Sequence, residues 1–217
     1  MEFIYNDGGR GNYFKGETGD CCCRAICNTT GLDYKRIYDL INKVALLEKT
    51  DNHYRGSRSS ARNGVFKETA VKIIEALGGE KIKVQEFGSR VKCHLCDDDL
   101  FEYQYGKYLL VLSHHYSSLI NGKLVDTYDC SRDGDRQVYC MYKMNKSKQK
   151  MLELLEAFEA TIDKKINNKK SKQEKAVKRN VRLHNKINQI DLEIKQLRDQ
   201  INKLTLEKAG LMSKVNH

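Results

Sequence analysis

The chain contains no proline and no tryptophan. Without proline, helices can run uninterrupted, and no proline-rich spacer can hold parts of the chain apart. There is no apolar run of about 18 residues, so no membrane-spanning segment is expected. The opening MEFIYNDGGRGN lacks the charged-then-apolar pattern of a secretion signal, and the expected location is cytoplasmic. In a reducing cytosol the eight cysteines are not expected to form disulfides. Thiol chemistry, metal binding or packing remain for them. GGRGN lacks the strand–helix setting and the lysine of a phosphate loop, so no nucleotide cofactor is expected.

What is present falls into two parts. The 217 residues are 40% hydrophobic and 31% charged, enough for one good core. Residues 1–145 carry 21 Lys/Arg against 20 Asp/Glu, whereas residues 146–217 carry 18 against 9. A nearly neutral, cysteine-containing head is therefore joined to a basic tail.

In the tail, apolar residues recur in alternating steps of four and three: Leu183, Ile187, Ile190, Ile194, Leu197, Ile201 and Leu204. Leu211 and Val215 continue the register past Lys208. This is the seam of a coiled coil, and β-branched residues at one seam position with mostly leucine at the other favour a parallel dimer. Such a segment would be a rod of about 50 Å. A second stripe runs upstream through Met151, Leu154, Leu155, Phe158, Ile162 and Ile166, and the almost wholly polar NNKKSKQEKAVKRN separates the two. One long helix is expected, with a helical hairpin as the rival. The basic stretch has no interleaved aromatics and no groove-reading motif, so nucleic-acid binding is not expected. The tail reads as a device for homo-oligomerisation through 183–215, or for docking to another protein.

In the head, three helices are expected first. One starts at Cys21 behind Asp20 as N-cap, one covers Asp33 to Glu48, and one covers FKETAVKIIEAL up to Gly78–Gly79. Strands follow in KIKVQEF, YGKYLLVLS, the segment from His115, GKLVD and QVYCMYKM, with Asn121–Gly122 as a hairpin turn. Helices first and an antiparallel sheet after them make an α+β domain.

Three residues in this head carry candidate chemistry. Cys21 would begin a helix, where free backbone amides and the dipole favour a thiolate and can hold a developing oxyanion. His115 opens a strand, and Asp126 closes the next one, where it could orient the imidazole. Cysteine early on a helix, with histidine and a carboxylate on neighbouring strands, fits nucleophilic catalysis. Cys22 competes with Cys21, and Asp129 with Asp126. Cys23 and Cys27 share a helical stripe with Ile26 and read as core. His114 and His115 would face opposite sides of a regular strand.

The stretches TGDCCCRAICNTTGLDYKRIYDLI and GKYLLVLSHHYSSLINGKLVDTYDCSRDGDRQVYCMY resemble the papain-like cysteine peptidases, particularly compact bacterial and phage-encoded forms. The resemblance covers roughly residues 8–143 and leaves the tail aside. It implies a papain-like head, with Cys21 as nucleophile, His115 as general base and acid, and Asp126 as its orienting partner. It assigns no catalytic role to Cys130, Arg136 or Tyr139. Members of the family usually place a glutamine about six residues before the cysteine to complete the oxyanion hole. Here that position is Lys15, and the nearest upstream amide is Asn12, so Asn12 and Lys15 are the candidates for that role.

The expected function is hydrolysis of a peptide, isopeptide or related amide bond, with a polypeptide as a possible substrate and no cofactor. Acyl transfer would use the same residues. The alternative is a catalytically inactive papain-like scaffold, acting as a phage virion component or a host-interaction protein. In that case the location would be the host cytoplasm or the virion. A metal is not expected: the Cys93–Cys96 pair around His94 would need Cys130 and Cys140 beside it to complete a zinc site.

Overall fold

A computed structural model describes the chain except residues 17, 50–57, 85–91 and 216–217, with side chains described up to residue 208. It contains two compact units, Met1–Ile166 and Asn167–His217.

Three helices lead the first unit. α1 (Cys21–Thr30) is buried along nearly its whole length and ends at Gly31, whose φ of 69° is left-handed. The Gly31 amide bonds the Cys27 carbonyl at 2.8 Å, a glycine-terminated helix end. α2 (Tyr34–Ala45) is capped by Asp33, whose carboxylate accepts the Arg36 amide at 2.9 Å. It buries Tyr34, Ile37, Leu40, Ile41 and Val44, the stripe expected from their spacing. α3 (Lys67–Ala76) buries Ala70, Ile73 and Ile74 and gives way to Gly78 and Gly79. A side chain at Gly79 would lie 2.8 Å from the Ile74 carbonyl oxygen, so only glycine fits there.

The strands are β1 (Phe3–Tyr5), β2 (Glu80–Ile82), β3 (Cys93–His94), β4 (Lys107–Leu112), β5 (His115–Ile120), β6 (Lys123–Asp126) and β7 (Gln137–Lys143). They form one sheet in the order β1-β6-β5-β4-β7-β2, with β3 also on β7. Asn121 and Gly122 turn between β5 and β6 with φ of 49° and 73°, the pair of left-handed residues such a tight hairpin requires. The expectation of a wholly antiparallel sheet is corrected at one edge. β1 pairs parallel to β6, with Tyr5 opposite Asp126, because three residues returning from the chain start can lie beside β6 without a hairpin. β2 takes up only the start of KIKVQEF, and residues 85–91 lie outside the described residues.

One sheet face packs on α1, α2 and α3 around Ile26, Ile37, Ile73, Leu109 and Tyr142. The other buries Leu110, Leu119, Leu124, Val138 and Met141. Burying each such side chain contributes roughly 1.5–3 kcal/mol before entropy is charged against it. The core does not stop at residue 145. A fourth helix, α4 (Lys148–Val215), sends Met151, Leu155 and Ile162 into the same cluster. Arg36 forms a two-pronged contact with Glu159 at 3.2 and 2.8 Å, and Lys43 pairs with Asp163. The first unit accordingly runs to Ile166.

The second unit is the remainder of α4. The tail is one uninterrupted helix, and the hairpin alternative is absent. Leu183, Ile187, Ile190, Ile194, Leu197, Ile201 and Leu204 are all exposed on it. Among the described residues no helix is long and apolar enough to cross a membrane.

Candidate active site

Cys21 is the first residue of α1. Asp20, in the capping position, makes no side-chain bond to the free amides of that helix. The local rule for an aspartate before a helix is overridden by stronger partners. Its carboxylate is fully buried and binds the Arg24 guanidinium, the Tyr34 hydroxyl and, at 3.1 Å, Arg10. The amides of Cys21, Cys22 and Cys23 are thereby left without a side-chain cap, while Arg24 is the first to bond back, to the Asp20 carbonyl.

β4 and β5 are joined by Ser113 and His114, with Leu112 paired to His115. His114 sits in the turn at φ 55°, not in a strand, so the two histidines are distinguished by turn and strand and not by opposite faces. The buried Arg136 donates to the Ser113 carbonyl at 2.8 Å and pins the turn. His115 Nε2 lies 2.8 Å from Asp126 Oδ2. The other carboxylate oxygen of Asp126 accepts the Thr127 amide at 2.7 Å and stands 3.6 Å from Arg24 Nη2. A line of alternating charge thus runs from Asp20 through Arg24 and Asp126 to His115.

Cys21 lies at the far end of that line. Burial opposes ionisation of its thiol, but hydrogen bonding to His115, the imidazolium charge and the Tyr116 amide overcome it, and its pKa falls below the ordinary thiol value. Burial likewise opposes the charge on His115, yet hydrogen bonds to Asp126, Cys130 and Cys21 push its pKa up to about 11. Asp126 is held below the usual carboxylate range: burial works against this, and His115, Ser117 and the Thr127 amide prevail. The Ser117 hydroxyl is buried without a close hydrogen-bond partner among the described residues, so its contribution is that of a nearby dipole. Cys22 contrasts with Cys21: it is almost wholly buried, and burial drives its thiol pKa well up. Burial does the same to Cys23, which packs against α2.

Cys21 and His115 open into a cleft of about 1020 Å³. One wall comes from Thr18–Gly19 and residues 58–67, the other from the β4–β5 turn, Tyr128 and Tyr139. Tyr139 reaches it because the β4–β7 ladder skips a residue: Val111 pairs with Cys140 and Leu112 with Val138. This bulge turns Tyr139 outward, where it is 49% exposed. On the opposite wall, a side chain added at Gly19, two residues from Cys21, would reach the Asn63 backbone at ordinary contact distance.

Neither Asn12 nor Lys15 is among the residues lining this cleft. Asn12 belongs to a short helical turn, and Lys15 borders a separate small cavity beside Tyr34. Two neighbours of the site were not expected there: Cys130, to which the resemblance assigned no role, and Asn63. Cys130 places its sulfur within 4.8 Å of His115 and Asp126, and Asn63 comes from a segment with no motif of its own.

His115, Asp126 and Cys130 could in principle share a metal ion, and they are the only such group among the described residues. The donor types suit zinc. Two features oppose a cation there: His115 Nε2 and Asp126 Oδ2 stand at direct hydrogen-bond distance from one another, and Arg24 stands beside the same carboxylate. Cys93 shares a buried cluster with Cys130, but among the described residues no metal-ligating group joins the pair Cys93–Cys96 to Cys130 and Cys140. His94 is bonded to Asp99 at 3.1 Å, and Cys140 lies in the core on the helix-bearing face of the sheet.

No family model, curated protein or solved structure matches this chain.

Proposed function

We propose that the head is a papain-like cysteine hydrolase that cleaves an amide bond of a peptide or isopeptide through Cys21, His115 and Asp126. The observation that carries this reading is the 2.8 Å contact between His115 Nε2 and Asp126 Oδ2, which leaves the other ring nitrogen for the Cys21 thiol at the mouth of a cleft. In the reaction, the Cys21 thiolate adds to the carbonyl carbon and the carbonyl oxygen gains the negative charge. The uncapped first-turn amides of α1 receive that charge, with Asn63, which lines the cleft where Asn12 and Lys15 do not, as the candidate for a second donor. His115 passes its proton to the leaving amine as the C–N bond breaks. It then takes a proton from water, which attacks the thioester and frees the acid and the thiol. An amine in place of water would make the same site an acyl transferase.

The tail is proposed to pair with a second copy as a parallel coiled coil, because seven seam residues at heptad spacing are exposed on a single helix.

The decisive experiment is alkylation with an epoxide or iodoacetamide at mildly acidic to neutral pH, mapped by mass spectrometry, in the wild type and His115→Ala. Fast labelling confined to Cys21 and lost in the variant supports the hydrolase. Slow labelling spread over several cysteines, unchanged by the variant, rejects it in favour of an inactive scaffold that works by binding.

A further inference from the structure

The charge of the cleft narrows the class of substrate, given the reading of Cys21 as nucleophile on which this inference rests. Among the described residues, none of those lining the cleft is an aspartate or glutamate. Arg58 and Lys67, by contrast, both line the wall that also carries Asn63. Both are exposed, and neither pairs with a carboxylate among the described residues. Arg24 also lines the cleft, but its charge is spent on Asp20 and Asp126. Some surface cations of the head do have acidic partners: Lys35 pairs with Asp39, Lys43 with Asp163 and Lys123 with Glu2. A concave surface of one charge sign, bounded by protein walls, concentrates the field and draws in ligands of opposite sign.

We propose that the cleft recognises a substrate bearing a carboxylate close to the bond attacked by Cys21, read by Arg58 and Lys67. The tyrosines on the facing wall, Tyr128 and Tyr139, offer apolar faces with polar tips and suit the flanking peptide chain. A carboxylate can reach this position either as an acidic side chain or as the free end of a polypeptide.

The test compares two alkylating agents of nearly equal size, iodoacetate and iodoacetamide, by the ratio of their second-order rates at Cys21. The imidazolium favours the anion in every variant, so the informative quantity is the change on reversing the two cations. In R58E/K67E the ratio should fall roughly three- to tenfold at low salt. The single reversals R58E and K67E should each lower the ratio in part, and they serve if the double variant does not fold. A ratio unmoved by these charge reversals overturns the inference while leaving the hydrolase reading intact. Failure of both agents to label Cys21 overturns both readings, and failure of iodoacetate alone overturns the inference only. Short peptidyl epoxides carrying Glu, Gln or a free terminal carboxylate then separate the sources. Preference for Glu over Gln identifies an acidic side chain, and preference for the free over the amidated end identifies a chain terminus. Equal rates for all of them reject recognition of a carboxylate.

Discussion

The carboxylate of Asp20 precedes the cysteine helix in the capping position, yet it binds Arg24 one turn further on. That choice ties the start of α1 to the interior and leaves its first amides open. It also means that a buried cation depends on this carboxylate. Asp20→Asn should destabilise the head by roughly 3–5 kcal/mol, because Arg24 would lose its closest counter-charge without leaving the interior. Urea unfolding checks this, and a loss below about 1 kcal/mol would show that Asp126 alone suffices for Arg24.

The facing pair of Cys21 and His115 has opposing effects on stability as pH changes. His115 holds its proton to about 11 when folded against 6.5 ordinarily, so its contribution is complete below 6.5 and is lost as pH rises towards 11. Cys21 has a lowered pKa, so its contribution is complete above the ordinary thiol value and is lost as pH falls through the folded one. In the wild type the two trends offset over neutral and mildly alkaline pH. Cys21→Ser removes one of them, and urea midpoints should then decline more steeply from neutral to alkaline pH than in the wild type.

Alkylation of Cys21 should follow an inflection below the ordinary thiol pKa. Asp126→Asn weakens the hold on the imidazolium and should move that inflection upward. His115→Ala should move it further, beyond the ordinary value, since burial, the largest influence on this thiol, is then opposed only by the Tyr116 amide and Arg24. Rate–pH profiles of the three proteins give the order directly. An inflection that stays put in both variants would mean that the imidazole does not govern the thiol.

Arg136 holds the turn that precedes His115 and is not among the residues lining the cleft. Arg136→Ala removes the bond to the Ser113 carbonyl and should cost about 1–3 kcal/mol in stability. If the turn positions His115, the variant should also slow Cys21 alkylation, and Arg136→Lys should recover part of it. Stability loss with an unaltered labelling rate would make Arg136 purely structural.

Replacing Ile194 and Ile201 by aspartate should leave the head folded and reduce the mass seen by light scattering to that of one chain. The same mass before and after would eliminate self-association through this seam.

Much of this architecture was legible in the sequence, and what was not has physical causes. The apolar spacing of Ile37, Leu40, Ile41 and Val44, the Asn121–Gly122 pair and the stop at Gly78–Gly79 each act within a few residues, so local rules apply. Cys21, His115 and Asp126 could be singled out because each begins or ends an element. β1 could not: three residues carry no periodicity, and their parallel partner lies over a hundred positions away. Cys130 and Asn63 enter the site from loops, and only the folded chain brings them near His115 and Gly19. Asp20 shows the opposite failure, a sound local expectation defeated by Arg24 and Tyr34. The basic tail and the core met at an unexpected place, because a change in composition at residue 145 does not mark where packing ends.

Met151, Leu155 and Ile162 make the opening turns of α4 part of the head even though the helix continues for many turns beyond. The chain therefore has a natural splice point inside a helix and not in a linker. Past Ile166, recombination could exchange one helical extension for another without exposing the core, provided the helical phase is kept. An exchange made at residue 146 would instead strip the head of one wall of its own interior. A head joined past Ile166 to a foreign helical extension should keep its stability, and one joined at residue 146 should lose it.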